Sequence, residues 1–110
     1  MRILFEDNHV LVAVKPPMVP TQADASGDAD MLSMVREYLR ETYHKPGNVY
    51  VGLLHRLDRP VGGVMVFAKT SKAASRLSRQ IREGGMQKEY LAVVHGLPPA
   101  EGRMEDFLLK

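Results

Sequence analysis

Hydrophobic and polar positions divide the chain into segments of two different periods. Ile3-Leu4-Phe5-Glu6 and Val10-Leu11-Val12-Ala13-Val14 are short runs separated by the turn formers Asp7-Asn8, which predicts a hairpin with His9 near its bend. The second run is apolar at every position, so the expectation is a strand covered on both faces. Lys15-Pro16-Pro17 stops it, because proline has no backbone donor and cannot continue a central strand. A loop with Pro20, Thr21, Gln22 and Ser26 then runs to Gly27. After Asp28, read as an N-cap, the period lengthens: Met31, Leu32, Val35 and Leu39 form a helical stripe, with Arg36, Glu37, Arg40 and Glu41 facing water. Tyr43 to Asn48 reads as a turn, and Val49 to Leu54 as a short apolar run.

The segment His55-Arg56-Leu57-Asp58-Arg59-Pro60-Val61-Gly62-Gly63 breaks both periods. Its proline fixes φ and its glycines admit backbone shapes barred to other residues, so a specified loop is expected. Val64-Met65-Val66-Phe67-Ala68 resumes a strand. Thr70 or Ser71 caps a helix reaching about Arg82, and Gly84-Gly85 ends it. On that helix Ala73, Leu77 and Ile81 recur every four residues as a core face, whereas Lys72, Arg76 and Arg79 gather on another face with Lys69 nearby. Met86 to His95 predicts one more strand, closed by Gly96-Leu97-Pro98-Pro99. Glu101 to Lys110 carries Phe107-Leu108-Leu109 and then stops without a polar ending, from which a chain truncated at its C-terminal side is expected.

This alternation of strand and helix fits an α/β or α+β sheet protein, and 110 residues suffice for one domain. Neither glycine pair lies in the strand-to-helix phosphate loop of a nucleotide fold. With no cysteine, disulfides, thiolate catalysis and cysteine-ligated zinc are excluded. His9, His44, His55 and His95 fall on separate predicted elements without a carboxylate-rich ligand pattern, so no metal site is expected. No long apolar segment or cleavage pattern leads the chain, which predicts a cytoplasmic protein off the membrane. No stable protein partner is identifiable. The net charge of +2 is small, but it is divided unevenly. Residues 1 to 50 carry five Lys or Arg against seven Asp or Glu, and residues 51 to 110 carry ten against six. The second half, at +4, suits an anionic partner; an uneven solvated surface is the plainer alternative.

Asp58 is the candidate catalytic carboxylate. Guanidinium groups on either side favour its ionised form, which suits a base or nucleophile; a salt bridge that merely pins the loop is the structural alternative. His55 is read as loop support through a hydrogen bond, and Gly62 and Gly63 as the backbone freedom the loop needs.

The run His55-Arg56-Leu57-Asp58-Arg59, followed by Gly63, an apolar strand, Ala68-Lys69-Thr70 and Lys88-Glu89-Tyr90, resembles the RluA-type RNA pseudouridine synthases. Leu4-Phe5-Glu6-Asp7, Val12 to Pro17, Gln80 and Tyr90 to Gly96 extend the resemblance over about ninety residues. It implies residues 1–110 as a partial pseudouridine synthase catalytic domain, with a mixed, mainly antiparallel sheet and flanking helices. The implied activity is isomerisation of uridine to pseudouridine in structured ribosomal or transfer RNA, without a metal or organic cofactor.

By this resemblance Asp58 is the nucleophile, Tyr90 the tyrosine against the uracil ring, and Arg56 the cation at the vacancy left by the flipped nucleotide. Arg59 either orients Asp58 or meets phosphate. Lys15, Lys69, Lys72, Arg76, Arg79 and Lys88 are further candidate RNA contacts. The chain departs from the family where Val61-Gly62-Gly63 replaces Thr-Ser-Gly, and where Met18-Val19-Pro20-Thr21-Gln22 replaces a glycine and histidine pattern. A later family cation and a basic C-terminal motif have no counterpart, so this piece alone is expected to be inactive. A catalytically impaired RNA-binding relative and an RNA base glycosidase remain as alternatives, the last lacking a compelling second carboxylate.

Overall fold

In the computed structural model, which describes residues 1–109, four strands form one antiparallel sheet. They are β1 (Arg2–Glu6), β2 (Val10–Lys15), β3 (Gly52–Leu53) and β4 (Gly63–Ala68), in the spatial order β1-β2-β4-β3. Since every pairing is antiparallel, the chain is α+β. The expected hairpin joins β1 to β2. Asp7 shapes its turn by accepting the N–H groups of His9 at 2.7 Å and Val10 at 2.8 Å through one carboxylate oxygen.

Facing residues share a side of a sheet. Leu11 opposite Phe67 and Ala13 opposite Met65 therefore form one face, and all four are fully buried. Against them packs α1 (Met31–Tyr43), whose Met31, Val35 and Leu39 complete the core with Val49 and Leu57. The other face of β2, carrying Val10, Val12 and Val14, is only half-buried, which corrects the expectation of a strand covered on both sides. Its uniform apolarity cannot distinguish complete from partial cover.

The α1 N-cap is Asp30 rather than Asp28: its carboxylate accepts Ser33 N–H at 3.0 Å. The preceding loop also caps the helix, with Pro20 and Thr21 carbonyls accepting from Met31 and Leu32 at 2.9 Å each. Asp28 instead pairs with Arg59. Thr70 caps α2 (Ser71–Arg82), its hydroxyl accepting Ala73 N–H at 3.1 Å. This helix sits so close to β3 that a methyl group on Gly52 would lie 2.9 Å from Ala74 Cβ and 3.0 Å from Ala68 Cβ.

The strand expected over Met86 to His95 does not form. Apolar alternation alone does not make a strand: its backbone groups need a ladder partner, and this segment pairs with none of the four described strands. Leu91 and Val93 are fully exposed. Phe107, Leu108 and Leu109 are exposed as well, and Lys110 lies outside the described residues. No described helix is long and apolar enough to cross a membrane.

Candidate active site

Asp58 owes its position to two loops that are bonded together. Lys15, at the end of β2, is fully buried and donates to the carbonyls of Pro16 at 3.1 Å, Val19 at 2.5 Å and Arg59 at 3.0 Å. An ammonium group with three donors thereby joins the proline-rich loop to the residue after Asp58. Burial, followed by the nearby Arg59 charge, lowers its pKa, while Asp58 opposes that shift. The expected contact between Lys15 and RNA is therefore corrected, because its ammonium is occupied inside the protein.

The residue before Asp58 is fixed in a similar way. Thr21 Oγ1 donates to the Leu57 carbonyl at 2.6 Å and accepts Leu57 N–H at 3.1 Å. Met18 N–H donates to the Arg59 carbonyl at 2.7 Å, and Val61 N–H closes a turn onto the Asp58 carbonyl at 2.9 Å. Close packing then accounts for Gly62: a Cβ there would lie 3.0 Å from Pro17 Cδ and 3.2 Å from its backbone nitrogen. Gly62 is thus matched to Pro17, so the departure at Gly62 has a packing reason; nothing in the structure explains Val61. A Cβ on Gly63 would meet Leu57 Cδ1 at 3.2 Å.

Within this frame the side chain of Asp58 is exposed and makes no hydrogen bond or ion pair among the described residues. It lines an open groove of about 350 Å³ with Arg56, Pro20, Thr21 and Asp24. Arg56 is exposed and makes no ion pair among the described residues either, so the groove brings together an available carboxylate and an available planar cation. Arg59 does not orient Asp58. Its guanidinium binds Asp28 at 2.9 Å and Asp24 at 2.5 Å, with Ser26 Oγ at 3.0 Å, and these acids raise its pKa. The salt bridge that would pin the loop through Asp58 is therefore not among those described; Arg59 instead ties down the 24–28 loop.

Tyr90 lies in a different cavity. A cleft of about 510 Å³ runs between His55, Val61 to Val64, Val66 and the extended stretch Met86 to Leu91, which contributes Lys88 and Tyr90. Leu57 lines both cavities and separates them. Asp58 and Tyr90 thus do not share one pocket. His55 Nε2 accepts Val66 N–H at 3.0 Å, replacing a strand partner for β4 just beyond the end of β3. Burial and then the Lys88 charge lower the pKa of His55, favouring the neutral ring that such an acceptor requires. The bond ties His55, at the start of the Asp58 loop, to β4.

The proposed basic ridge keeps Lys72, Arg76 and Arg79 exposed on α2, with Arg79 Nε at 3.3 Å from Glu83. Lys69 leaves it. Its ammonium turns inward to Glu6 Oε2 at 2.5 Å, donates to the Asp7 carbonyl at 2.7 Å and lies 4.7 Å from the centre of the Tyr43 ring. The described residues contain no cluster of three or more His, Cys, Asp or Glu suited to a metal.

Sequence reasoning missed Thr21, Pro17 and the structural use of Lys15. Nothing marks Thr21 except its place beside Pro20, since threonine is common in loops and its partner is 36 residues away.

Similarity to known proteins covers the same region. Residues 9–110 match the family model for RNA pseudouridylate synthase. Ribosomal large subunit pseudouridine synthase C from Buchnera aphidicola of Acyrthosiphon pisum is 39% identical over 98 residues, covering 89% of this chain and 29% of that protein. The protein of the same name from Escherichia coli K12 is 42% identical over 94 residues, covering 86% of this chain and 28% of its own length. The chain therefore spans less than a third of these relatives. Among solved structures, human RNA pseudouridylate synthase domain containing 4 shares the fold, with a TM-score of 0.62 at 24% identity over 74% of this chain and 30% of its own.

Proposed function

The chain belongs to the RNA pseudouridylate synthase family, and from that premise we propose that its protein isomerises uridine to pseudouridine within structured RNA, using Asp58. Ribosomal RNA is the favoured substrate, because the relatives with 39% and 42% identity are named for the ribosomal large subunit; transfer RNA is the other candidate. Uridine and pseudouridine have the same atoms. The bond from C1′ of the ribose to N1 of uracil breaks, the base turns, C1′ bonds to C5, and the C5 proton is transferred to N1.

A carboxylate serves this sequence either by attacking the sugar or by removing a sugar proton so that the base departs. Both routes need an ionised carboxylate with an oxygen free to reach the ribose. The observation that carries the reading is the state of Asp58: its carboxylate is exposed and unbonded among the described residues, while the residues on either side are fixed by Thr21 and Lys15. Arg56, in the same groove, would stack in the space left by the flipped nucleotide and hydrogen-bond to the remaining RNA. Tyr90 would hold the uracil ring, which requires the Met86–Leu91 stretch to close toward Asp58.

The test uses the full-length protein and its Asp58→Ala variant on total RNA from cells lacking the protein, with pseudouridine mapped at nucleotide resolution. Wild-type protein should restore a defined pseudouridine, and Asp58→Ala should lower the rate by at least about a thousandfold, a floor well below the roughly millionfold loss seen when a serine nucleophile is removed. Equal restoration by both proteins overturns the assignment of Asp58. RNA retention without isomerisation by the wild type points to a binding protein, and release of free uracil to a glycosidase.

A further inference from the structure

Thr21 is 4% exposed, buried with Pro20 in a loop whose following residues 23–29 are exposed. Its hydroxyl uses one donor and one acceptor on the two backbone groups of a single residue, Leu57. This resembles the exchange between paired residues in an antiparallel ladder, with a side chain in place of a strand. Its own carbonyl accepts Leu32 N–H at 2.9 Å, beside the Pro20 carbonyl accepting Met31 N–H. The first turn of α1 is therefore connected through Thr21 to Leu57, and Asp58 is the next residue. Leu57 is itself buried in the core, so the pairing has little room to slip.

We propose that Thr21 is a positioning residue for Asp58: its hydroxyl sets the backbone from which the carboxylate reaches the ribose. The inference rests on the isomerase reading. Thr21 works through Leu57 and contacts no reacting atom. Removing the hydroxyl while retaining volume, as in Thr21→Val, leaves a buried N–H and a buried carbonyl without their partner. The loop then shifts to recover those bonds, and a displacement of about 1 Å at a reacting group costs up to about a hundredfold in rate.

The experiment compares full-length wild type, Thr21→Val, Thr21→Ser, Val51→Ala and Asp58→Ala on the same total RNA from cells lacking the protein. Single-turnover rates at saturating protein are divided by the folded fraction from circular dichroism, and RNA affinity is measured by filter binding. Thr21→Val should lose tenfold to a hundredfold in rate with unchanged RNA affinity. Thr21→Ser, which keeps the hydroxyl, should remain within a few-fold of wild type. Val51→Ala, a half-buried control beside the core, should lose folded fraction without losing rate per folded molecule.

A wild-type rate in Thr21→Val, or equal losses in the serine and valine variants, overturns the proposal. If Thr21→Val does not fold, Thr21→Cys replaces it, keeping the volume and a weak donor; an intermediate rate at unchanged affinity supports the role and a wild-type rate overturns it. These outcomes are separable from failure of the function itself, in which wild type makes no pseudouridine or Asp58→Ala matches it.

Discussion

Glu6 shows how one residue can join elements that its sequence pattern does not connect. Read along the chain it is the polar end of a strand. In the fold its carboxylate accepts Tyr38 at 2.7 Å, Tyr43 at 2.5 Å and Lys69 at 2.5 Å, linking β1 to α1 and to the end of β4. Burial opposes its ionised form, but the bonds from Lys69, Tyr43 and Tyr38 outweigh it and its pKa falls. Burial likewise opposes the charge on Lys69, yet Glu6 and Tyr43 raise its pKa. A depressed carboxylate contributes stability that is present above its unfolded pKa and lost as pH falls through the folded one. A raised lysine contributes stability that is present below its unfolded pKa and lost as pH rises through the folded one. Urea midpoints should therefore decline toward acid and toward alkali. Glu6→Gln should flatten the acid limb, and an unchanged limb would refute this account. Such partners were not legible because Glu6 and Lys69 are 63 residues apart, and a lysine near a basic helix reads equally well as part of its exposed ridge. The loop around Asp58 was legible because it combines charge with proline and glycine in sequence, whereas the role given to Asp58 comes from the family resemblance.

At the scale of elements, local chemistry determined most boundaries. His44 ends α1 in the left-handed region at φ 51°, its N–H bonded to the Arg40 carbonyl. Glycine reaches that conformation without the steric cost borne by a side chain. His44→Gly should therefore raise stability by about 0.5 to 1 kcal/mol, a typical αL preference, and a lower urea midpoint would contradict it. Both strands of the hairpin, β4 and both helices were legible from period and punctuation. Asp28 misled because it lies only two residues before the actual cap, Asp30, and has the same capping chemistry, whereas Arg59 claims its carboxylate. Met86 to His95 misled for a different reason. Period specifies which side chains would share a face, but only a neighbouring edge decides whether their backbone becomes a strand.

Over the whole molecule, the charge asymmetry becomes specific only after the internal cations are set aside. Lys15 serves backbone carbonyls, Arg59 serves Asp24 and Asp28, and Lys69 serves Glu6. The ridge Lys72, Arg76 and Arg79 remains exposed on α2, with Arg56 at the groove. A cation turned inward onto protein acids or carbonyls releases few counterions from RNA, whereas an exposed one, as Arg79 remains despite its surface contact with Glu83, releases its share, with a slope of about 0.7 per phosphate contact on single strands. Lys72→Gln, Arg76→Gln and Arg79→Gln together should weaken RNA binding by the full-length protein. They should also flatten the plot of log affinity against log salt by up to about two if all three meet phosphate. Arg59→Gln should leave that slope unchanged while loosening the 24–28 loop, seen as faster proteolysis there. A slope that responds to Arg59 and ignores the ridge would put the RNA path over the Asp58 loop instead of α2.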